Sequence, residues 1–433
     1  MSTVLPASSH PAGRRGPGDP ALAERSGPPG ARRPAGAPST GEANTLATPG
    51  VRTAPSTAAP ARSPRSRRDP FVDAVRAVGI LLVVALHWLM VEATWDGETL
   101  VVGNALAHGG AWLLTWLQPL PLLFFAAGAA ARYDVDRHPG EPGWRFAGVR
   151  LLRMARPVAV FAGVWALLVA ALPWLGVPEA AVDRVARIVP QPLWFLGVQI
   201  GLLALTPVLL GALRRWGAAR VLVVAAVLPL VVDLLRFSDE VALPGAPNVL
   251  LVWAVPYLGG LVYASRRLAA PDDLVARDLV PERTVLTLLA LGGLGATVLL
   301  LAVGPYPLSL IGMPGDAISN LAPPTAPVVG FAVAQVAAVL LARDAIARWA
   351  GRSRVVRWAG ARSMGLYLWH LTAMFAVAGV VLLGVGETLP EPWTWDWWAT
   401  RASYLGAAGA VLAALVAASG AVDRRLTARS RAA

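Results

Sequence analysis

The sequence lacks cysteine altogether and contains little charge. Without Cys the chain cannot form a disulfide, a thiolate metal site or a cysteinyl thioester. Charged residues make up only 15% of the 433 residues and hydrophobic ones 56%, far from the averages of a soluble domain. Lysine is absent as well, so all 38 basic residues are Arg, which together with abundant Ala is typical of a GC-rich bacterial genome. The composition excludes an ordinary soluble domain and indicates a bacterial membrane protein.

Residues 1–68 differ in kind from the rest of the chain. They are rich in Pro, Ala, Gly, Ser and Arg and contain almost no aromatic or large aliphatic side chains. Such a segment cannot bury enough apolar surface to offset the ordering of its backbone, which predicts a disordered tail. It has no apolar central run, so it does not resemble a secretory signal.

Apolar runs follow one another across residues 69–422, which we interpret as a membrane domain of the all-α class. A bilayer core of about 30 Å requires roughly 20 apolar residues per helix. Ten segments meet this requirement, and they lie near residues 71–91, 109–131, 154–175, 192–212, 218–236, 247–265, 284–303, 325–342, 361–384 and 402–422.

The distribution of Arg predicts the orientation of these spans. Alternate connections are rich in Arg, whereas the others hold only Arg184, Arg187, Arg236 and Arg401. The positive-inside rule therefore places both termini, including the basic tail 423–433, in the cytoplasm of a multi-pass protein of the bacterial cytoplasmic membrane. The net charge of +12 is explained by topology and by anionic lipid headgroups, so we expect no nucleic-acid partner.

The first span carries two ionisable side chains on one face. Arg76 and His87 are eleven positions apart, which at about 100° per residue places them on the same side of a helix, about 16 Å apart along its axis. Asp73 precedes Arg76 by three residues and can pair with it. Polar groups inside a membrane are costly enough to suggest function. The alternative is that Arg76 reaches lipid headgroups while His87 hydrogen-bonds a neighbouring helix.

Further motifs follow in order along the chain. They are Gln118-Pro-Leu-Pro-Leu-Leu-Phe124-Phe125-Ala-Ala-Gly128, Arg150-Leu-Leu-Arg153-Met-Ala-Arg156-Pro157, Pro192-Leu-Trp194-Phe195-Leu196 and Ser363-Met-Gly-Leu-Tyr367-Leu-Trp369-His370. Together with Asp73-x-x-Arg76 and the Arg76-x10-His87 spacing, this series resembles the acyltransferase-3 family over residues 69–422. These are integral membrane enzymes that transfer acyl groups, for example by O-acetylation of the cell envelope.

The resemblance implies a reaction and a set of site residues. Acyl-CoA would be the co-substrate, no cofactor or metal would be bound, and the acceptor would be a surface glycan, a lipid or a small secreted metabolite. His87 would act as general base or carry the acyl group briefly, and Arg76 would pair with phosphate or polarise the thioester carbonyl. Arg150 and Arg153 would hold the phosphates of CoA, unless they only mark the cytoplasmic side. His370, Tyr367, Trp194 and Asp73 would support the site.

Two other classes of protein are alternatives. A transporter could have ten spans, although no internal repeat is visible in the sequence. A lipid-linked glycosyltransferase could use the acidic residues of the first outer loop, namely Glu92, Asp96 and Glu98. Release of CoA that depends on an acyl acceptor separates both from an acyltransferase.

Removal of residues 1–60 should leave membrane insertion and acyl transfer intact. The deleted segment cannot build a core, and Arg62, Arg65, Arg67 and Arg68 would still anchor the first span. The measurement is acyl transfer by the truncated protein at matched expression. Loss of activity in a well-expressed truncation would show that the tail is required.

A reporter fused after Arg429 should report the cytoplasm, and one inserted near Asp316 should report the outside. This follows from the alternation of Arg-rich and Arg-poor connections over ten spans. A C-terminal reporter found outside would contradict both the number of spans and the orientation.

Overall fold

The computed structural model describes residues 69–238, 245–269 and 281–432, so the predicted tail 1–68 lies outside the described residues. Twelve α-helices occur in this part of the chain, with short 3₁₀ helices at Ala105–Ala107, Gly109–Leu117 and Pro173–Leu175 and a π-helical turn at Val380–Val385. The α-helices are α1 (Pro70–Met90), α2 (Leu120–Arg137), α3 (Gly143–Ala171), α4 (Glu179–Ile188), α5 (Leu193–Trp216), α6 (Ala218–Arg236), α7 (Asn248–Ala269), α8 (Arg283–Val303), α9 (Ala326–Leu341), α10 (Arg343–Arg352), α11 (Arg354–Gly379) and α12 (Trp395–Ala432).

The predicted all-α membrane architecture is confirmed. Within the described ranges, nine helical segments are long and apolar enough to cross a bilayer, and the pair α9 and α10, bent by 67° at its break, would make a tenth. At about 1.5 Å per residue, the 16 residues of α9 span only about 24 Å. The span formed by α9 is therefore shorter than the others, because the chain bends away at Ala342.

Some helices begin earlier than their apolar runs. The third span was predicted from residue 154, but α3 begins at Gly143, and its first four turns contain Arg145, Arg150, Arg153 and Arg156. Hydropathy locates the part of a helix inside the bilayer, whereas the backbone hydrogen bonds continue into the polar region beyond it. The twelfth helix likewise continues to Ala432, so the predicted tail from 423 is helical.

Two antiparallel strands, which the sequence did not indicate, follow α1. β1 (Val91–Trp95) pairs with β2 (Leu100–Asn104), with Val91 opposite Asn104. The carboxylate of Asp96 accepts hydrogen bonds from the backbone N–H groups of Glu98 and Thr99 and from the Thr99 hydroxyl, which hold its pKa at about 2. We call the end of the helical bundle that carries these strands, residues 91–104, the hairpin end.

The opposite end, which we call the Arg-rich end, is organised by a buried carboxylate. Asp69 caps α1 by accepting from the N–H of Phe71 at 3.0 Å. Its second oxygen accepts from the hydroxyls of Tyr133 on α2 and Tyr263 on α7, at 2.7 and 3.0 Å, and pairs with Arg267 at 2.7 Å. One carboxylate therefore joins three helices, and Arg343, at the start of α10, extends the network by donating to Tyr263.

Helices α2 and α7 cross with their backbones in contact. A Cβ added at Gly128 would collide with the carbonyl oxygen of Tyr257, and one added at Gly260 would collide with that of Phe125. Small residues at such crossings are typical of membrane bundles, where close packing provides much of the attraction between helices. This crossing keeps Phe124 stacked on Trp253, with ring centroids 5.0 Å apart.

Replacement of Gly260 by Ala should lower the melting temperature of the detergent-solubilised protein. The added methyl group meets the backbone of α2, and overpacking of this kind costs about 1–3 kcal/mol. The matched control is Gly163→Ala on an exposed face of α3, where an added Cβ meets nothing within 4 Å. Equal melting temperatures for the Gly260 variant and wild type would show that the two backbones are not in contact.

Candidate active site

Arg76 and His87 lie on one continuous helix. The Asp69 cap and Pro70 begin α1, and the helix continues without a break to Met90. The predicted spacing of about 16 Å along one face therefore applies to the folded chain. Arg76 is near the Arg-rich end, while His87 is in the last turn, next to the hairpin. The two residues therefore belong to one continuous helix, but their side chains are not in contact.

His87 has a defined tautomer. Its Nδ1 lies 2.8 Å from the carbonyl oxygen of Val83, which can only accept, so Nδ1 carries the proton and donates it. The other ring nitrogen, Nε2, then has a free lone pair. No described residue hydrogen-bonds to Nε2, and the half-buried ring lines a cavity. A neutral imidazole with its basic nitrogen available suits a base or a nucleophile.

A second histidine packs against the first. The rings of His87 and His370 are 4.8 Å apart and nearly perpendicular, at 74°. His370, on α11, is 1% exposed, and its Nδ1 donates to the carbonyl oxygen of Tyr367 at 2.6 Å. Its Nε2 is buried without a hydrogen-bond partner in the described part of the chain. Trp88 donates to the carbonyl oxygen of His370 at 2.9 Å, which fixes α1 against α11 beside both rings.

Tyr367 and Trp194 line the same cavity as His87. The Tyr367 hydroxyl donates to the carbonyl oxygen of Pro192 in the turn before α5. Trp194 is 40% exposed and lies 6.0 Å from the Trp253 ring. Three of the residues predicted to form or support the site, His87, Tyr367 and Trp194, therefore share one wall, with His370 directly behind it.

The cavity has a volume of 610 Å³ and lies at the hairpin end. Helices α1, α5 and α11 form its wall, and its rim comes from the hairpin, from residues 311–322 and from α4 with the turn after it. Besides His87, Tyr367 and Trp194, the lining contains the polar side chains of Gln118, Arg184, Gln191 and Ser319. None of the described lining residues is Asp or Glu, and Arg184 is the one permanent charge.

Arg76 forms a separate group near the Arg-rich end. Its guanidinium pairs with Asp73 at 2.9 Å, as predicted, and its side chain keeps 37% of its surface exposed. A Cβ at Gly360 of α11 would lie 3.8 Å from the Arg76 guanidinium. Arg76 is thus partly accessible between α1 and α11, several turns from the His87 cavity.

The two arginines predicted to bind the acyl donor have different surroundings. Arg150 is buried, and its guanidinium donates to Asp134 at 2.7 Å, to Glu141 at 2.6 Å and to the carbonyl oxygen of Phe146 at 3.1 Å. Two carboxylates already neutralise this group, so a donor phosphate would have to displace them. Arg153 lies on an exposed face of α3. A role of either residue in donor binding stays a prediction.

Some cavity residues had little signal in the sequence. Arg184 and Gln191 belong to a short amphipathic helix and the turn after it, and only the scarcity of Arg in the outer connections marked Arg184. Two of the three acidic residues considered for a glycosyltransferase have structural partners, because Glu92 pairs with His108 at 3.1 Å and Asp96 accepts hydrogen bonds in the hairpin turn.

Comparison with known proteins gives one family. The profile of an acyltransferase domain, that of acyltransferase-3, matches residues 69–420. No curated protein and no solved structure matches the chain significantly. The match covers well over half of the chain, including the helices that carry Arg76, His87 and the His87 cavity. The chain therefore belongs to the acyltransferase-3 family of membrane acyltransferases.

Proposed function

We propose that the protein moves an acyl group from cytoplasmic acyl-CoA to a hydroxyl or amine of a surface glycan, a lipid or a secreted metabolite, with the chemistry at Nε2 of His87. The observation that supports this most directly is the hydrogen bond from His87 Nδ1 to the carbonyl oxygen of Val83, because in the neutral ring it makes Nε2 the basic nitrogen, and the ring lines the cavity. The positive-inside rule supports a cytoplasmic Arg-rich end in the bacterial membrane, so that the hairpin end faces outward.

Two routes use the same nitrogen. As a general base, Nε2 takes the proton of the acceptor hydroxyl while the acceptor oxygen attacks the thioester carbon, the C–S bond breaks, and the CoA thiolate takes the proton. As an acyl carrier, Nε2 attacks the thioester carbon and expels the thiolate. The acceptor then attacks the acyl carbon, the C–N bond breaks, and the acceptor proton passes to the thiolate.

His370 supports either route by holding the His87 ring. The two rings pack in a T-shaped arrangement with centroids 4.8 Å apart, and the Nδ1–H of His370 donates to the carbonyl oxygen of Tyr367. This ring contact and the hydrogen bond from His87 Nδ1 to Val83 restrict rotation of the His87 side chain, and the Trp88 hydrogen bond holds α1 against α11 beside it. A base held in one orientation is more effective, since the reacting geometry is already formed when the substrate binds.

The position of Arg76 favours phosphate binding over polarisation of the thioester. A thioester that reaches His87 is about 16 Å from the Arg76 backbone along α1, beyond the reach of a guanidinium. Arg76 is partly exposed near the Arg-rich end, where the anionic part of acyl-CoA would approach from the cytoplasm. A planar guanidinium binds phosphate oxygens with two parallel hydrogen bonds.

Acceptor-dependent release of CoA from acetyl-CoA by the purified protein in liposomes tests the function. Mass spectrometry of surface glycans, lipids and secreted metabolites from deletion and complemented strains identifies the product. A mass increase of one acyl group only in the complemented strain supports the proposal. Movement of a solute without CoA release would indicate a transporter instead.

The variant His87→Ala should reduce acyl transfer by roughly 10²–10⁴-fold while expression and detergent stability stay near those of wild type. His108→Ala is the matched control, because His108 pairs with Glu92 and does not line the cavity.

Arg76→Ala should raise KM for acyl-CoA. Arg76→Lys should bring that KM only partly back towards the wild-type value, since Lys lacks the planar fork of the guanidinium. Because the two side chains lie several turns apart and serve different parts of the reaction, the double variant should combine both effects, a lower rate and a higher KM for acyl-CoA. A stable His87→Ala protein with a near-normal rate would contradict the proposal.

A further inference from the structure

Helix α4 places one arginine on the rim of the His87 cavity. Ala181 and Val182 are buried and anchor the helix, while Arg184 and Arg187 are exposed. Arg184 lines the cavity, but Arg187, nearly one turn later, does not. Two arginines of one short helix thus differ in whether they face the site.

The charge of Arg184 is not balanced by the cavity. No ion pair or hydrogen bond joins its guanidinium to another residue of the described ranges, and the described lining contains no carboxylate. Glu92, on the nearby strand β1, is bound to His108. A single cation on apolar walls produces a concentrated positive potential, which attracts and orients anionic ligands.

Neutral hydrogen-bonding groups accompany this cation. Ser319 accepts from the N–H groups of Gly312 and Leu321 at 3.0 and 3.1 Å, so its own hydroxyl proton remains to be donated. Gln118 and Gln191 add amide groups to the lining, and Trp194 adds a partly exposed ring. The cavity combines sites for hydroxyl groups with one site for a negative charge.

We propose that the acyl acceptor is an anion, and that Arg184 binds its phosphate or carboxylate group while its hydroxyl or amine faces His87. This inference rests on the proposed function. Arg184 and Arg76 are at opposite ends of the α1 axis, so Arg184 is a specificity-determining residue for the acceptor, and Arg76 serves the donor. An ordinary lipid headgroup and a soluble glycan or metabolite can both supply this anion.

The first test is the chemistry of the product. Acylated products are isolated from the deletion strain complemented with wild type, and organic extraction separates lipid from soluble acceptors. The product should carry phosphate or carboxylate, detected by anion-exchange retention and mass spectrometry. A neutral acylated product would overturn the inference but leave the proposed function intact. No acylated product in any strain would overturn the proposed function and this inference with it.

The second test assigns Arg184 to the acceptor. Membranes with wild type, Arg184→Gln, Arg184→Lys or the matched control Arg187→Gln are assayed with acetyl-CoA and the acceptor purified in the first test. Arg184→Gln should raise KM for the acceptor about tenfold or more, the usual effect of losing a charge-assisted hydrogen bond. Its kcat and KM for acetyl-CoA should stay within about twofold, Arg184→Lys should be intermediate, and Arg187→Gln should match wild type.

Salt provides an independent readout. Rising ionic strength should raise the acceptor KM of wild type and of Arg187→Gln but change that of Arg184→Gln much less, because screening acts only where a charge contact exists. An unchanged acceptor KM in Arg184→Gln would overturn the inference. A change confined to KM for acetyl-CoA would overturn it too, since Arg184 would then belong to the donor site.

Discussion

The buried carboxylate of Asp69 is the constraint on which the position of the site depends. A carboxylate removed from water is costly unless it is paired and hydrogen-bonded. The Asp69 carboxylate accepts hydrogen bonds from the N–H of Phe71 and from two tyrosine hydroxyls, and it forms an ion pair with Arg267. Since these partners come from three helices, the start of α1 has one position and one rotation. Loss of one partner of a buried ion pair generally costs about 3–5 kcal/mol. A rotation of α1 about its axis that broke the Asp69 contacts would therefore be strongly unfavourable. The direction of His87, about five turns further along α1, follows from this anchor.

The far end of α1 is fixed by different means, and these also prepare the chemistry. The indole of Trp88 donates to the His370 carbonyl, and the two imidazoles pack edge to face. Both histidines donate from Nδ1 to a backbone carbonyl of their own helix, so in the neutral form of either ring Nε2 is the basic nitrogen. Only that of His87 belongs to a ring on the cavity wall; His370 is 1% exposed. Burial thus leaves the ring of His87 on the cavity wall and encloses that of His370, which is why the proposed function places the chemistry at His87.

Periodicity and hydropathy predicted the bundle well, because both properties are local. The ten apolar runs, the shared face of Arg76 and His87, and the Asp73–Arg76 pair all depend on residues close in sequence. Features that depend on tertiary contact were not predictable in this way. Nothing in the sequence indicated that Arg150, predicted to help hold the phosphates of CoA, pairs with Asp134 and Glu141 of the preceding helix and loop. The place of Arg184 on the cavity depends on how α4 packs against α3 and β2, which no spacing in the sequence reveals.

The two proposed anion sites explain how such an enzyme can work across a bilayer. A charged group at the centre of a membrane costs several kcal/mol or more, so neither the phosphates of a donor nor the charge of an acceptor should enter it. Arg76 is near one end of α1, and Arg184 lies beside the other. His87 and the apolar side chains that line its cavity, among them Val83 and Phe375, lie at the hairpin end with Arg184. If each cation holds the charge of its own substrate, the neutral acyl group with its thioester arm is the part that must extend inward. The separation of about 16 Å between Arg76 and His87 then has a function, because it keeps the donor's charge at one end of α1 while the acyl group is transferred at the other.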